Sequence, residues 1–512
     1  MKVIKYVLLI VIVLLFNLSC TSDSTIDDNG NNDLNGTDFV NFELVDNENN
    51  SFLPFQMNDG ELHIVVPPSS NIGNLIPKFE ITGEKILVDE NELVSEVTPL
   101  DFSDFTNPIC CKIMSSDNKE KLWKINLYNI PVMLITTPDS VPITSKEDRI
   151  KDCKVMLVQT DGTEIDLGTA GVRGRGNSTW LQPKKPYNVK LDKKHSICGM
   201  KESKHWILLA NAYYDRTLLH NATAFEIARL TDFSWIQSGV FVELFLNGKH
   251  QGLYYLCENI RAEKGKIEIL EMSTSDVEGD FLLESTLSPN NTENSFATDY
   301  YNITGKGDAL SSFGWEIKSP DNPTPVQFEY IKNTMNHLEE VMSSDDYIKA
   351  GDYRSLFDIE SAINWWLVEE LTLNEEASRS KNMYLYNLDG KIYVGPCWDF
   401  DAWSFGLHGE VGTFYSKEEA LYYNQLFKDP VFVERVKEKW NIYKPLWEKE
   451  IPQFIDSQYD TIHKAAERNE ILWPDWHPVN CYPSKTYKQC VEDMKEAFVR
   501  QMSWMDQVIC GF

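Results

Sequence analysis

Apolar and polar residues alternate with period two through Phe39-Val40-Asn41-Phe42-Glu43-Leu44, Leu62-His63-Ile64-Val65-Val66 and Trp123-Lys124-Ile125-Asn126-Leu127. That period predicts strands with one buried face. Turn residues at Asn58-Asp59-Gly60 and Pro67-Pro68-Ser69-Ser70 separate the runs. Residues 38–129 therefore read as a small antiparallel β-sandwich, closed by Ile130-Pro131. Beyond it the period becomes mixed. Val189-Lys190-Leu191 and Val242-Glu243-Leu244-Phe245-Leu246 are strand-like, and Asn247-Gly248 is a hairpin turn leading into Gly252-Leu253-Tyr254-Tyr255-Leu256. Arg216 to Leu230 has helical spacing. Polar 274–311 reads as a surface insertion. From about residue 326 the chain is mainly helical, with helices expected over Gln327–Met342, Ile359–Leu373, Pro430–Trp447 and Gln489–Val508. One hairpin interrupts them, Met383-Tyr384-Leu385-Tyr386 returning through Ile392-Tyr393-Val394. The fold class expected is α+β: an all-β domain, then a β-rich half carrying one helix, then a helical half carrying one hairpin.

The first twenty residues follow another rule. Lys2 and Lys5 precede an unbroken apolar run, Val7 to Phe16, which ends at Asn17-Leu18-Ser19-Cys20. The run is too short to span a bilayer and has the length of a signal-peptide core. The cysteine behind it resembles a bacterial lipobox, so 1–20 reads as a lipoprotein signal with Cys20 as the lipidated residue. The alternative is a plain secretory signal with an incidental cysteine. Residues 21–37 are polar and acidic and read as a flexible tether. The expected location is a lipid anchor on the outer membrane or cell surface of a Gram-negative bacterium, with no other membrane attachment. The 38–129 segment resembles the immunoglobulin-like domains of surface lipoproteins of Bacteroidetes-type bacteria, which implies a spacer or docking role.

Composition narrows the classes. Hydrophobic residues make up 42% of the 512-residue chain and charged ones 25%, so most of it should fold. A formal charge of −30 disfavours nucleic acid and anionic membrane surfaces as partners. The ten cysteines form no CxxC pair and no zinc spacing; Cys481 and Cys490 are near enough in sequence to bridge.

Three stretches carry candidate chemistry. Gly171-Val172-Arg173-Gly174-Arg175-Gly176-Asn177-Ser178-Thr179-Trp180 offers backbone N–H groups and two guanidinium forks, which suits phosphate. It equally suits a tight turn whose arginines pair with carboxylates. Lys190 on its strand and Glu226 on the following helix could form the ion pair by which kinases grip α/β-phosphates; alternatively Lys190 is only solvated. The third stretch is the richest. Asn374-Glu375-Glu376 and Asn382 precede the 383–394 hairpin, and Trp398-Asp399-Phe400-Asp401 follows it. The hairpin should bring both acidic groups together, and hard oxygen ligands suit Mg²⁺. Helix capping is the plainer account of these residues.

GVRGRGNSTW, KKPYNVKLDKK, KHWILLANAYYDRTLLHNATAFEIARL, VELFLNGKHQGLYYLCENIR and GPCWDFD, in this order, resemble the spore-coat-protein-H (CotH) kinase family from about residue 131 to 510. The resemblance implies a two-lobed atypical protein-kinase-like domain that uses ATP and Mg²⁺. It makes Lys190 the phosphate-binding lysine and Glu226 its partner, beside Arg173 and Arg175, which the glycine-rich loop already offers to the nucleotide. Cys257-Glu258-Asn259 becomes the nucleotide-side linker, with Glu258 cofactor-binding. Asp399 and Asn382 become metal ligands, supported by Asp401. Glu376 stands where the family has a catalytic Asp, and His220 where it has Arg; both departures touch catalysis.

The expected function is a Mg-dependent phosphotransferase from ATP to protein Ser/Thr, with Glu376 and Asp399 catalytic. The alternative is a weak or inactive kinase-fold surface module that binds glycan or protein. A hydrolase using Glu376 and Asp399 is a third reading, which predicts turnover without nucleotide.

Overall fold

The computed structural model describes residues 34–211, 215–289, 292–300, 313–344, 346, 353–406, 410–474 and 485–512. Cys20, the signal segment and Cys481 lie outside them. The chain divides into two compact units. One contains residues up to Ile64 and Ser69–Leu127; the other contains Val65–Pro68 and Tyr128–Phe512.

The smaller unit is all-β. Strands β1 (Phe39–Val45), β2 (Ser51–Phe52) and β5 (Ile76–Ile81) form a sheet in the order β2-β1-β5. Strands β3 (Pro54–Asn58), β4 (Glu61–Val65), β6 (Lys85–Val88), β7 (Asn91–Glu92), β8 (Ile109–Met114) and β9 (Glu120–Tyr128) form a second, in the order β3-β4-β9-β8-β6-β7. The alternation explains the packing. Phe39 and Phe42 of β1 face inward, and the Phe39 ring meets the Trp123 ring of β9 edge-on at 5.2 Å.

The larger unit begins with a closed barrel in the order β10-β11-β12-β13-β14-β16-β15. Its strands are β10 (Val132–Thr136), β11 (Ile150–Val158), β12 (Glu164–Gly174), β13 (Tyr187–His195), β14 (Ser203–Leu209), β15 (Gly239–Leu246) and β16 (Lys249–Glu258). All neighbours are antiparallel except β10 and β15, whose parallel pairing closes the ring and leaves no edge. Helix α1 (His220–Arg229), almost wholly buried, lies between β14 and β15 in sequence. It starts after Leu218, which has a left-handed backbone, rather than at Arg216.

A second sheet follows, in the order β18-β19-β17-β20-β21. Its strands are β17 (Phe281–Thr286), β18 (Ser295–Phe296), β19 (Gly314–Ser319), β20 (Tyr384–Leu388) and β21 (Lys391–Val394). The central strand, β17, falls within 274–311. That stretch is therefore not simply a surface insertion: Phe281, Leu282 and Leu283 are fully buried inside it.

Helices α2 (Pro325–Ser343) and α3 (Ile359–Leu371) pack on this sheet, α4 (Pro430–Leu472) packs on α1, α3 and β16, and α5 (Tyr487–Ile509) packs on α3 and α4. Thr324 and Thr486 start α2 and α5 with full capping boxes. Helix α4 runs well past the expected end at Trp447, through Pro445 and Pro452. Tertiary contacts outweigh the lost backbone bonds: the Trp447 indole donates to the Ile227 carbonyl of α1, and Ile451 and Ile455 are fully buried. Among the described residues every cysteine is free, Cys490 included, and no helix is long and apolar enough to cross a membrane.

Candidate functional site

A cavity of about 1150 Å³ opens between the rim of the barrel and the second sheet. Arg173, Arg175 and Asn177 line one side. Glu376, Asn382, Asp399 and Asp401 line another, and Glu284, Glu316 and Lys318 a third.

The glycine-rich loop owes its composition to packing as well as to access. At Gly174 an added Cβ would lie 2.2 Å from the Trp180 ring, so only glycine lets that indole fold back. Gly176 has φ +81°, a left-handed turn that glycine allows without strain. Lys146 ties the turn down, donating to the Gly176 carbonyl at 3.3 Å and to Asn177 Oδ1 at 3.0 Å. Arg175 extends over the Trp398 ring, 5.3 Å from its centroid. That cation stands next to Asp399.

The acidic side is assembled by backbone of unusual shape. Helix α3 stops at Leu371, and Leu373 turns left-handed at φ +56°. Asn374 then caps a short 3₁₀ turn, accepting the Glu376 N–H at 3.1 Å and donating to buried Glu369 at 2.7 Å. The Glu375 N–H donates to the Trp403 carbonyl at 3.0 Å, tying this turn to the segment after the hairpin. Asn382, Asp399, Trp403 and Phe405 all have positive φ. Such strain clusters where surrounding structure over-determines the chain, commonly at functional sites. The Asn221 side chain, near the start of α1, accepts the Phe400 N–H at 3.0 Å and fixes the loop between the two aspartates. Phe225 of α1 stacks on Trp398 at 5.8 Å.

Glu376 is held from two sides. Lys381 Nζ lies 2.6 Å from Oε1, and Asn382 Nδ2 donates to Oε2 at 3.3 Å. Asn382 thus turns its amide nitrogen to Glu376 and keeps its carbonyl oxygen as the acceptor. Asp399 is pushed above the ordinary carboxylate range, first by burial. Arg175 opposes this, and Glu376 and Glu284 add to it. Asp401 is pushed up further, by burial and then by Asp399 and Asp215. Neighbouring carboxyls that cannot all be charged are stabilised by a cation among them. The donors are all hard oxygens, so Asp399, Asp401 and the Asn382 carbonyl fit Mg²⁺. Among the described residues no group of three or more His, Cys, Asp or Glu forms a metal cage. Mg²⁺ suits such a sparse set, since it keeps waters and takes phosphate oxygens.

Three residues expected at the site are elsewhere. Lys190 is exposed on the outside of the barrel, because Val189 and Leu191 on either side fill its interior. Glu226 pairs with Arg229 on its own helix, so no Lys190–Glu226 pair forms. Glu258 is buried at the end of β16, accepts the Ser238 N–H at 2.9 Å and has Lys266 at 3.8 Å. None of the three lines the cavity. His220 is buried between Asp215, at 3.6 Å, and the Phe405 ring, at 5.0 Å. Sequence reasoning missed Asn221, Lys381, Glu284, Glu316 and Lys318. The signal for the last three was the apolar triplet at 281–283 and the alternation Trp315-Glu316-Ile317-Lys318, each marking a strand.

The profile of the family described as CotH kinase protein matches residues 172–505, most of the larger unit. The chain belongs to the CotH kinase family. A search of curated proteins gives no match. The match begins within the glycine-rich loop and takes in the whole acidic side, so the cavity's main walls are made from family sequence. As a CotH kinase family member the chain carries a mixed α+β domain that fits a kinase-like fold.

Proposed function

We propose that the larger unit is a two-lobed, Mg-dependent phosphotransferase that takes ATP and phosphorylates a protein Ser or Thr. One observation carries the reading: Glu376, Asn382, Asp399 and Asp401 converge on one cavity faced by Arg173 and Arg175. Asp399, Asp401 and the Asn382 carbonyl would hold Mg²⁺. A bound Mg²⁺-triphosphate supplies the phosphoryl group and neutralises charge on its oxygens. Arg175, fixed over Trp398, orients the phosphates, and the Gly176 and Asn177 N–H groups at the cavity wall would donate to them. Glu376, steadied by Lys381 and Asn382, accepts the proton of the acceptor hydroxyl as its oxygen attacks. The side chain is one carbon longer than the family's Asp, and Lys381 holds it back against Asn382. In our reading Cys20 is lipidated, residues 38–129 are an immunoglobulin-like spacer, and the enzyme acts at the cell surface.

The test is transfer of labelled γ-phosphate from Mg·ATP to the protein itself and to a mixture of exported proteins. Wild type should transfer label. Glu376→Gln should lose transfer at least 100-fold while keeping nucleotide binding. Binding without transfer in the wild type would replace the enzyme by a nucleotide-binding surface module. Hydrolysis of a glycan without nucleotide would favour a carboxylate-pair hydrolase instead.

A further inference from the structure

One wall of the cavity belongs to a row of polar residues running across four strands. Tyr384 of β20 pairs in register with Glu284 of β17, Glu284 with Glu316 of β19, and Glu316 with Ser295 of β18. Directly paired residues point to the same face of a sheet, so the row forms one continuous strip. Glu284, Glu316 and Ser295 line the cavity. Two glutamates placed opposite one another repel, and a sheet with no use for them would not gain from the pairing. Lys318 resolves the conflict. Its Nζ lies 2.9 Å from Glu284 and 3.4 Å from Glu316.

Lys318 lies two residues beyond Glu316 on β19, so strand alternation puts both side chains on one face. The β17–β19 register shifts between Leu282 and Leu283, so Leu283 pairs with Ile317 and Leu282 with Ser319. Lys318, between them, has no partner across the strand. The bulge falls at the cavity wall, and bulges are common beside active sites. The ammonium lines the cavity, as does Asp399, whose carboxyl feels the charge of Glu284. Lys190 and Glu226 do not form a lysine–glutamate couple, and Lys318 with Glu284 is such a couple inside the cleft.

We propose that Lys318, held by Glu284 and Glu316, is the phosphate-binding lysine of this cleft. The inference rests on the reading of the cavity as a nucleotide site. The two glutamates orient the ammonium and keep it charged, and a polyphosphate entering between Arg175 and β19 accepts a hydrogen bond from it. Lys318 touches the phosphates and not the base, so its contribution grows with the number of phosphates.

The experiment is calorimetric titration of the full chain with Mg·ATP, Mg·ADP and adenosine. Wild type, Lys318→Met, Lys318→Arg and the triple variant Glu284→Gln/Lys318→Met/Glu316→Gln are compared. The triple variant leaves no unpaired glutamate and keeps a neutral wall should Lys318→Met fail to fold. The expected result is at least tenfold weaker Mg·ATP binding in the Met variants, a smaller loss for Mg·ADP and an unchanged affinity for adenosine. Lys318→Arg should recover most of the loss, which a merely structural residue would have no reason to tie to phosphate number. Equal Mg·ATP affinity in wild type and the triple variant overturns the role of Lys318 and leaves the nucleotide site standing. Absence of Mg·ATP binding in the wild type overturns both.

Discussion

At Gly174 the Trp180 ring occupies the place of a side chain. Gly174→Ala should therefore displace the indole and destabilise the protein by about 1–3 kcal/mol, as overpacking does. Chemical denaturation checks this, with Trp180→Ala in the same background as the control: if the clash is the cause, the double variant loses less than the two single changes added. Glu339 of α2 is a second residue with a sharp expectation. It is fully buried, accepts the Tyr422 hydroxyl at 2.8 Å, and burial pushes its pKa up to about 7. A raised carboxyl pKa means that the folded state holds the proton more tightly than the unfolded one. Its contribution is fully present below about pH 4.5 and is lost as pH rises towards 7. Glu339→Gln should flatten the fall in stability over that window, by at most about 1.4 kcal/mol per pH unit. An unchanged slope in urea melts from pH 4.5 to 7 would place the titration elsewhere.

Among the elements, α1 connects the barrel to the acidic loop. Its Asn221 accepts the Phe400 N–H, a buried bond whose loss should cost about 1–3 kcal/mol in Asn221→Ala. Because that bond holds the turn between Asp399 and Asp401, Mg²⁺-dependent nucleotide binding should weaken by more than the loss of stability implies. A variant with lower Tm and intact binding would show that the loop holds its shape without α1. These elements also show how far sequence carries. The hairpin of β20 and β21 was legible from its alternation, and with it the convergence of Glu376, Asn382 and Asp399. Position along an element was harder. Lys190 lies on a strand as expected, but its exposed face follows only once Val189 and Leu191 are known to fill a closed barrel. Glu226 lies on the expected helix, whereas the contact with the site comes from that helix's first turn, five residues earlier. Strand β17 was hidden because a polar average over 274–311 masked three apolar residues.

For the whole molecule, the larger unit runs from Tyr128 to Phe512 and takes in Val65–Pro68 besides. Tyr128 belongs with the larger unit, its ring meeting Phe245 edge-on at 5.8 Å and His250 at 5.4 Å. A fragment from Tyr128 to Phe512 should unfold in one cooperative transition and keep its response to Mg·ATP. One starting at Pro131 should be less stable, because Tyr128 and Ile130 are both buried. On the proposed function, the larger unit binds a nucleotide through Mg²⁺ held at Asp399. A ligand that binds only the folded state raises stability, by about 2.7 kcal/mol at a hundred times its Kd. The most direct measurement is thermal unfolding of the full chain with ATP, with and without Mg²⁺, for wild type and Asp399→Asn. Wild type should rise in Tm with Mg²⁺ and ATP together, and Asp399→Asn should not, being itself as stable as the metal-free wild type or slightly more so. An equal rise in both proteins, or no rise in wild type, would contradict the proposed function.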